Sequence, residues 1–372
     1  MTTIDSAPAI STPDLSTTDP TATAQPADPD AAVERLLQIL DDGATCVLAS
    51  IGHEVGLFDT LASLPPATSA QIADAAGLDE RYVREWLGGM TTARFVQYVP
   101  EDRTYHLSPD HAPFLTGDSP DNLARMTRYV TMMGQVSSLV AEKFRTGGGL
   151  SYDDYPGFHD LQAAESAAVN DASLLDTIIP VAGETERLEQ GIDVADVGCG
   201  EGHAVNLLAR AYPRSTFVGY DFSDEALEAA RAEAAAWGLG NARFETLDVA
   251  DLDAESAYDL VLTFDAIHDQ AQPDRVLANL RRALRPDGTY LMVDIKASSN
   301  LEENLELPWA TFLYAISTTH CMSVSLGQDG VGLGTVWGVQ TMERMLREAG
   351  FSDVVVHDLE EDPFNAYVVA RP

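Results

Sequence analysis

Lysine is almost missing from this 372-residue chain, where only Lys143 and Lys296 occur, and 22 lysines and arginines together face 59 aspartates and glutamates for a formal net charge of −37. A surface of that sign repels phosphate backbones and anionic bilayers, so neither nucleic acid nor membrane is an expected partner. Replacement of lysine by arginine accounts for few lysines but not for so large an acidic excess. The excess points to a halophile, whose concentrated salt screens the self-repulsion. Cysteine is scarce too: Cys46, Cys199 and Cys321 are far apart and form no CxxC or Cys/His ligand spacing. That argues against a disulfide framework and against a zinc site, so no metal is expected and the thiols read as reduced packing residues. No apolar run reaches the length of a membrane span, and the polar opening residues lack the basic and apolar regions of a signal peptide, so the cytoplasm is the expected location.

Apolar residues make up 45% of the chain, enough for a packed globule, and the length predicts two domains with a tail. Residues 1–29, rich in Thr, Ser, Pro, Asp and Ala, hold too few large apolar side chains to offset the entropy of ordering and read as a disordered tail. From Asp30 the spacing of Val33, Leu36, Leu37 and Leu40 predicts a helix, followed by a second apolar stretch from Cys46 to Leu61. Thr68 with Gln71 forms a capping-box start, Gly77 stops that helix, and Asp79 caps the next, whose apolar face is read as Tyr82, Val83, Trp86 and Leu87. Phe95–Val99 and Tyr105–Leu107 flank a turn and make two short strands. Two helices joined by a short turn and followed by a strand pair describe a winged helix over residues 30–115. A helical connector, residues 116–151, runs from Asn122 to Arg145 and ends at Gly147-Gly148-Gly149.

Over residues 152–372 the pattern alternates. Apolar runs at Val194–Val197, Thr216–Tyr220, Ala242–Leu247, Asp259–Phe264 and Thr289–Asp294 are separated by helical segments such as Asp224–Trp237 and Asp274–Leu284. This predicts an α/β domain with a Rossmann-like, doubly wound parallel sheet, and Val354–His357 with Ala366–Ala370 adds a closing antiparallel hairpin. Pro286-Asp287-Gly288 reads as the turn into the fifth strand.

The loop Asp196-Val197-Gly198-Cys199-Gly200-Glu201-Gly202 joins the first strand of this sheet to a helix. Glycine there lets a ligand approach the backbone while the helix start offers N–H donors. A dehydrogenase fingerprint would need a further glycine where His203 stands, which disfavours a nicotinamide cofactor. Asp221 ends the second strand, where a carboxylate can accept from both ribose hydroxyls, and Phe222 beside it can cover an adenine face. Asp248 and Val249 end the third strand, with Asp248 able to accept from the adenine amino group. Phe264, at the end of the fourth strand, joins the candidate cofactor residues.

With these features in order, residues Tyr152 to Pro372 resemble the class I S-adenosylmethionine-dependent methyltransferases, and FDAIHDQ (Phe264–Gln270) and HCMSVSL (His320–Leu326) are similar to a bacterial and archaeal group that joins a winged helix to this fold. The resemblance implies S-adenosylmethionine as cofactor, with Gly198, Gly200 and Gly202 along its methionine half, Asp196 at the amino group or orienting the loop, Asp221 at the ribose and Asp248 at the adenine. It also implies a small-molecule acceptor and a homodimer packed through the winged helix. His268-Asp269 resembles the His-Asp pair of small-molecule O-methyltransferases, with His268 as general base and Gln270 where those enzymes usually carry Trp; Asp269 can alternatively cap the following helix. His320 is the reserve base. The long insertion after the fifth strand supplies a candidate acceptor pocket from Trp309, Tyr314, His320 and Met322. Two other readings stay open: a winged-helix transcription regulator with a ligand-binding domain, disfavoured by Glu80 and Glu85 among Arg81 and Arg84, and methylation at nitrogen or carbon.

Overall fold

The structure, a computed structural model, describes residues 29–360 and 362–372, so the tail expected at 1–28 lies outside the described residues. The described residues divide into two units, the first ending at Ala44 and the second running from Thr45 to Pro372. The described part of the first is the start of a 26-residue helix, Pro29–Glu54, which carries Val33, Leu36, Leu37 and Leu40 with more than half of each surface exposed. The stretch from Cys46, expected as a separate element, continues this helix to Glu54; the break comes at Gly56, whose φ of 69° leads into the helix Leu57–Ser63.

The winged helix follows its sequence signals closely. Thr68 and Gln71 form the capping box of Ser69–Ala76, Gly77 closes it at φ 67°, and the Asp79 carboxylate accepts from the N–H groups of Arg81 and Tyr82 at the start of Glu80–Thr92. Tyr82, expected on the apolar face, is 81% exposed, and the buried stripe is Val83, Trp86, Leu87 and Met90. Position 82 lies one residue, about 100°, off that stripe, so the apolar ring points to solvent. Strands β1 (Val96–Val99) and β2 (Thr104–Leu107) pair antiparallel, and Ala67 bridges to Tyr105. Trp86 ties the unit together by donating from Nε1 to the Leu48 carbonyl at 2.7 Å and packing edge-on against Phe58.

The connector helix is Leu123–Thr146, capped by the Asn122 side chain. Beyond it lies a seven-stranded sheet of β3 (Asp193–Val197), β4 (Thr216–Asp221), β5 (Ala242–Thr246), β6 (Tyr258–Phe264), β7 (Leu284–Ile295), β8 (Asp353–Leu359) and β9 (Asp362–Arg371). Its order is β5-β4-β3-β6-β7-β9-β8, parallel as far as β7, with β9 antiparallel between β7 and β8. The doubly wound sheet and closing hairpin are therefore present. The fifth strand starts earlier than expected: β7 pairs from Leu284, and the Pro286-Asp287-Gly288 segment is a register shift within the ladder rather than a turn before it.

Both faces of the sheet are covered, which is why its strands read as continuous apolar runs. Val194, Leu260, Leu262, Leu291 and Val293 fall in one core cluster, while Ala195, Val197, Val261, Tyr290 and Met292 alternate into the other. The order reverses between β3 and β6, the switch point where a crevice opens at the carboxyl edge of such a sheet. Register then sets what meets there: Val197 pairs with Tyr220, Asp221 with Thr246, and Phe264 with Val293. No described helix is long and apolar enough to cross a membrane.

Candidate active site

The glycine loop sits at the end of β3, with φ of 77° at Gly198 and 52° at Gly200, values that L side chains rarely adopt. A Cβ at Gly198 would lie 2.7 Å from that of Ala266, and one at Gly202 would strike the Phe244 ring, whereas Gly200 faces open space. The loop is thus packed against the sheet at both ends and open in the middle. The Gly200 N–H donates to the Asp221 carboxylate at 2.8 Å, and that carboxylate also accepts from the Ser223 N–H. Beside it, Asp196 is 3% exposed and its Oδ1 has no hydrogen-bond partner. Burial and the neighbouring Asp221 charge push its pKa up to about 7. A buried carboxylate with one oxygen unpartnered, next to open loop backbone, fits a cationic group such as an amino group, which would relieve its desolvation.

Asp248 is exposed and caps the turn Val249–Asp251 by accepting from the Ala250 N–H; Val249 is buried. Phe222 is half exposed at the edge of this groove, and Phe264 packs into the core. Its neighbour Asp265 carries the strain of the bend out of β6, at φ 49°.

His268 follows from that bend. It is buried, and its Nδ1 lies 2.7 Å from Oδ1 of Asp294 near the end of β7. Because an ionised carboxylate only accepts, Nδ1 carries the proton. Asp294 also accepts from the Trp337 indole N–H, while its Oδ2 and the Oδ1 of Asp265 are buried without partners. Nε2 of His268 is 3.3 Å from Asp269 Oδ1, out of hydrogen-bond alignment. Asp269 therefore stands beside the imidazole and does not cap the next helix, Pro273–Ala283, whose N-cap is Gln272; three intervening residues put it out of reach. Burial alone would lower the His268 pKa, but the Asp294 and Asp269 carboxylates overcome it and hold it well above the ordinary 6.5. Desolvation of the Asp265 carboxyl, whose Oδ1 is buried, and the neighbouring Asp294 charge push its pKa up to about 7. Donor atoms of His268, Asp269 and Cys321, and likewise of Asp265, His268 and Asp294, lie within 4.8 Å of one another. The two groups share one imidazole, whose Nδ1 is already engaged by Asp294.

The insertion after β7 is largely helical. Helix Ala310–Ile316 runs into a π-helical turn, Ser317–Cys321, and then helix Met322–Gly327. It is fixed to the His268 loop by Ser325 Oγ donating to the Gln270 carbonyl and the Gly334 N–H donating to that of His268. The widened turn carries His320 and Cys321 inward; His320 is 1% exposed with Nε2 unpartnered, and burial lowers its pKa to about 4. Met322 packs against Gly332 and Gly334. Trp309 rests on Phe364, and the Tyr314 hydroxyl accepts from Asn304, so these two candidate pocket residues make their contacts away from His320.

The strap that follows the triple glycine carries further residues of this region. Leu150 donates to Ser323, and Tyr155 donates from its hydroxyl to the Thr319 carbonyl at 2.6 Å. Phe158 stacks on His320 with ring centroids 3.9 Å apart, and Tyr152 stands between His320 (5.7 Å) and Phe222 (5.3 Å). An available signal was the spacing of Tyr152, Tyr155 and Phe158, an aromatic every third residue directly after a flexible stretch.

Comparison with known proteins identifies the family and the fold. Residues 43–117 match the Rv2258c-like winged HTH domain and residues 188–350 a methyltransferase domain. Nocamycin O-methyltransferase of Saccharothrix syringae is 33% identical over 222 residues, covering 57% of this chain and 74% of that protein. The chain belongs to the class I S-adenosylmethionine-dependent methyltransferases. Among solved structures, this methyltransferase fold aligns with human N-acetylserotonin methyltransferase in complex with S-adenosylmethionine, at 17% identity and TM-score 0.67 over 93% of this chain and 99% of that one. Mitomycin 7-O-methyltransferase MmcR aligns at 18% identity and TM-score 0.67, over 92% and 98%. Other curated methyltransferases match in part only: the chain spans about half the length (48%) of the trans-aconitate 2-methyltransferase of Deinococcus radiodurans, at 33% identity over 141 residues and 38% of this chain. The cofactor of the family is S-adenosylmethionine, and the unpartnered Oδ1 of Asp196 beside the open Gly200 backbone fits its charged amino end.

Proposed function

We propose that this protein transfers a methyl group from S-adenosylmethionine to an oxygen atom of a small-molecule acceptor, with His268 as general base. The observation that carries the reading is the His268–Asp294 pair, buried at the same sheet edge as the glycine loop. When bound, the cofactor supplies an electrophilic methyl group on a sulfonium. The chain's own part is to hold its polar ends and to manage the acceptor proton. Asp196, ionised, matches the amino group; Gly198, Gly200 and Gly202 leave room along the loop; Asp221 accepts from the ribose hydroxyls; Asp248, Val249, Phe222 and Phe264 border the adenine. Asp294 fixes the imidazole tautomer so that Nε2, once deprotonated, takes the proton. His320, held neutral by burial, is a weaker base and lines the acceptor side with Met322.

The exposed stripe Val33, Leu36, Leu37 and Leu40 supports a homodimer, because a face of four adjacent apolar side chains gains by burial against a copy of itself. In the winged helix Arg81 and Arg84 pair with Glu85 and Glu80, leaving no surplus of positive charge on that helix face for phosphate, and we place the enzyme in the cytoplasm without nucleic-acid or membrane partners. The decisive experiment is release of S-adenosylhomocysteine on addition of hydroxylated acceptors, compared between parent and His268→Ala. Cofactor binding without any such release would move the protein to a use of the cofactor other than methyl transfer; a relative of that kind exists, the S-adenosyl-L-methionine-dependent Diels-Alderase of Talaromyces variabilis, 26% identical over 187 residues and 47% of this chain.

A further inference from the structure

We infer that His268, Asp269 and Cys321 form a site for a borderline-soft divalent cation of the zinc type, and that the ion inhibits the enzyme by taking the Nε2 lone pair of His268. The site stands independently of the methyl-transfer reading; the inhibition rests on it, through His268 as base.

The first observation is geometric. Nε2 of His268 is 3.3 Å from Oδ1 of Asp269, and one donor atom from each of His268, Asp269 and Cys321 lies within 4.8 Å of the other two. A tetrahedral zinc ion at ordinary bond lengths sets its N, O and S ligand atoms about 3.3–3.7 Å apart. The His268–Asp269 separation already has that size, and the sulfur has at most about 1.5 Å to close. Spacing along the chain hides the set, because Cys321 arrives from the insertion after β7, on the π-helical turn Ser317–Cys321. The Ser325 hydroxyl on the Gln270 carbonyl and the Gly334 N–H on the His268 carbonyl lock that insertion to the His268 loop, so the donors are held together by backbone.

The second observation is unmet bonding capacity. Oδ1 of Asp269 is buried with no hydrogen-bond partner, and so is the hydroxyl of Thr335, beside Cys321. His268 and Cys321 are 4% and 7% exposed. Asp294 keeps the imidazole proton on Nδ1, which leaves the Nε2 lone pair free on the Asp269 side. A carboxylate behind an imidazole in this way fixes the tautomer of a metal ligand and raises its basicity. Oδ1 of Asp265 and Oδ2 of Asp294 are buried without partners as well, and among the described residues no lysine or arginine is ion-paired or hydrogen-bonded to Asp265, Asp269 or Asp294. A dication supplies the missing positive charge. Imidazole nitrogen, carboxylate oxygen and thiolate sulfur together select zinc-like ions over magnesium and calcium, which take oxygen ligands. Binding releases the Cys321 thiol proton to solvent, and the Nε2 proton where the imidazole carries one. Once coordinated, Nε2 has no lone pair left for the acceptor proton.

The test is titration of the full chain, reduced and freed of metal, with Co²⁺ as a spectroscopic substitute for zinc. A single ion per chain is expected to give a thiolate-to-metal charge-transfer band with the intense visible bands of a four-coordinate site, and Zn²⁺ to abolish both. Surface carboxylates bind Co²⁺ through oxygen and give no such charge-transfer band. Cys321→Ser is expected to lose the band and to weaken Zn²⁺ binding by at least roughly 10-fold, whereas Cys46→Ser and Cys199→Ser keep the band. With any accepted acceptor, saturating Zn²⁺ is expected to lower parental turnover by at least roughly 10²-fold, the worth of a general base, and a chelator to restore it. The parent titration decides even if a variant fails to fold. No charge-transfer band in the parent, a band that survives in Cys321→Ser, or turnover that Zn²⁺ raises or leaves unchanged would each overturn the inference. A thiolate-bound ion in a chain that methylates no acceptor would support the site and sink the methyl-transfer reading instead.

Discussion

The imidazole Nδ1 of His268 and Oδ1 of Asp294 lie 2.7 Å apart although 26 residues separate them, because adjacent parallel strands, β6 and β7, end at the same edge of the sheet. The pair sets both the tautomer and the proton affinity of the candidate base. Since a base must be deprotonated to act, and Asp294 and Asp269 hold the His268 pKa well above 6.5, the rate is expected to rise with pH with a midpoint on the alkaline side of ordinary histidine. Asp294→Asn should move that midpoint to lower pH while reducing the maximal rate, since removing the carboxylate removes the charge that raises it. An unchanged midpoint in that variant would separate His268 from the rate-limiting ionisation.

His268→Ala should lower turnover by roughly 10²–10⁴-fold with cofactor affinity nearly intact. His320→Ala should act mainly through acceptor affinity. Near-parental turnover for His268→Ala, measured with any accepted substrate, would leave positioning alone to carry the reaction.

Cofactor affinity should depend on pH through Asp196. Its carboxyl, at about 7 in the folded protein, must ionise to match an ammonium group, so S-adenosylhomocysteine should bind more weakly as pH falls through that value, and binding near neutrality should release a proton to buffer. Asp196→Asn should flatten the dependence, and Asp221→Ala should weaken binding by about 1–3 kcal/mol or more through unpaired ribose hydroxyls. Calorimetry in buffers of different ionisation enthalpy reads both effects.

The same groups predict the pH dependence of stability without ligand. Asp196 and Asp265 have folded pKa values of about 7 against an ordinary 3.8, so between those values the folded state holds more protons and stability falls as pH rises. The raised His268 adds stability that is complete below 6.5 and is lost as pH climbs through its folded value. Thermal melts across this range should show a falling Tm, less steep in Asp196→Asn; a rising Tm would contradict the assignment of these shifts.

The net charge of −37 should make the fold salt-dependent, with Tm increasing from about 0.1 M to about 2 M KCl as screening shortens the reach of self-repulsion. A flat response would remove the halophile reading.

Substituting Glu for Leu36, Leu37 and Leu40 together should convert a dimer to a monomer without loss of the helix, as sedimentation and circular dichroism would show. A parent chain that sediments as a monomer at working salt would dispose of the interface.

The sequence by itself determined the local structure and pointed to the edge of the sheet proposed for the cofactor. Capping residues such as Thr68 and Asp79, and the short apolar runs of β6 and β7, act over a few residues and can be read where they stand. So can Asp196, the three glycines and Asp221, because a glycine loop followed by a strand-ending acid is a local arrangement with little dependence on the rest of the chain. Tertiary structure decided which partners these residues meet. Asp294 could not be named as the partner of His268 from spacing, since their approach depends on the register of β6 against β7 and on a strained bend at Asp265. Nor could Tyr152, Tyr155 and Phe158 be placed around His320, more than 150 residues away in the chain, because that contact depends on the strap after Gly149 fitting closely against the helix Met322–Gly327: a Cβ at Gly149 would fall 1.7 Å from the Ser323 carbonyl oxygen. Nor was the state of each ionisable group legible, because the same histidine is pushed above 6.5 between two carboxylates at position 268 and down to about 4 among aromatic rings at position 320, and burial and neighbours exist only once the chain has folded.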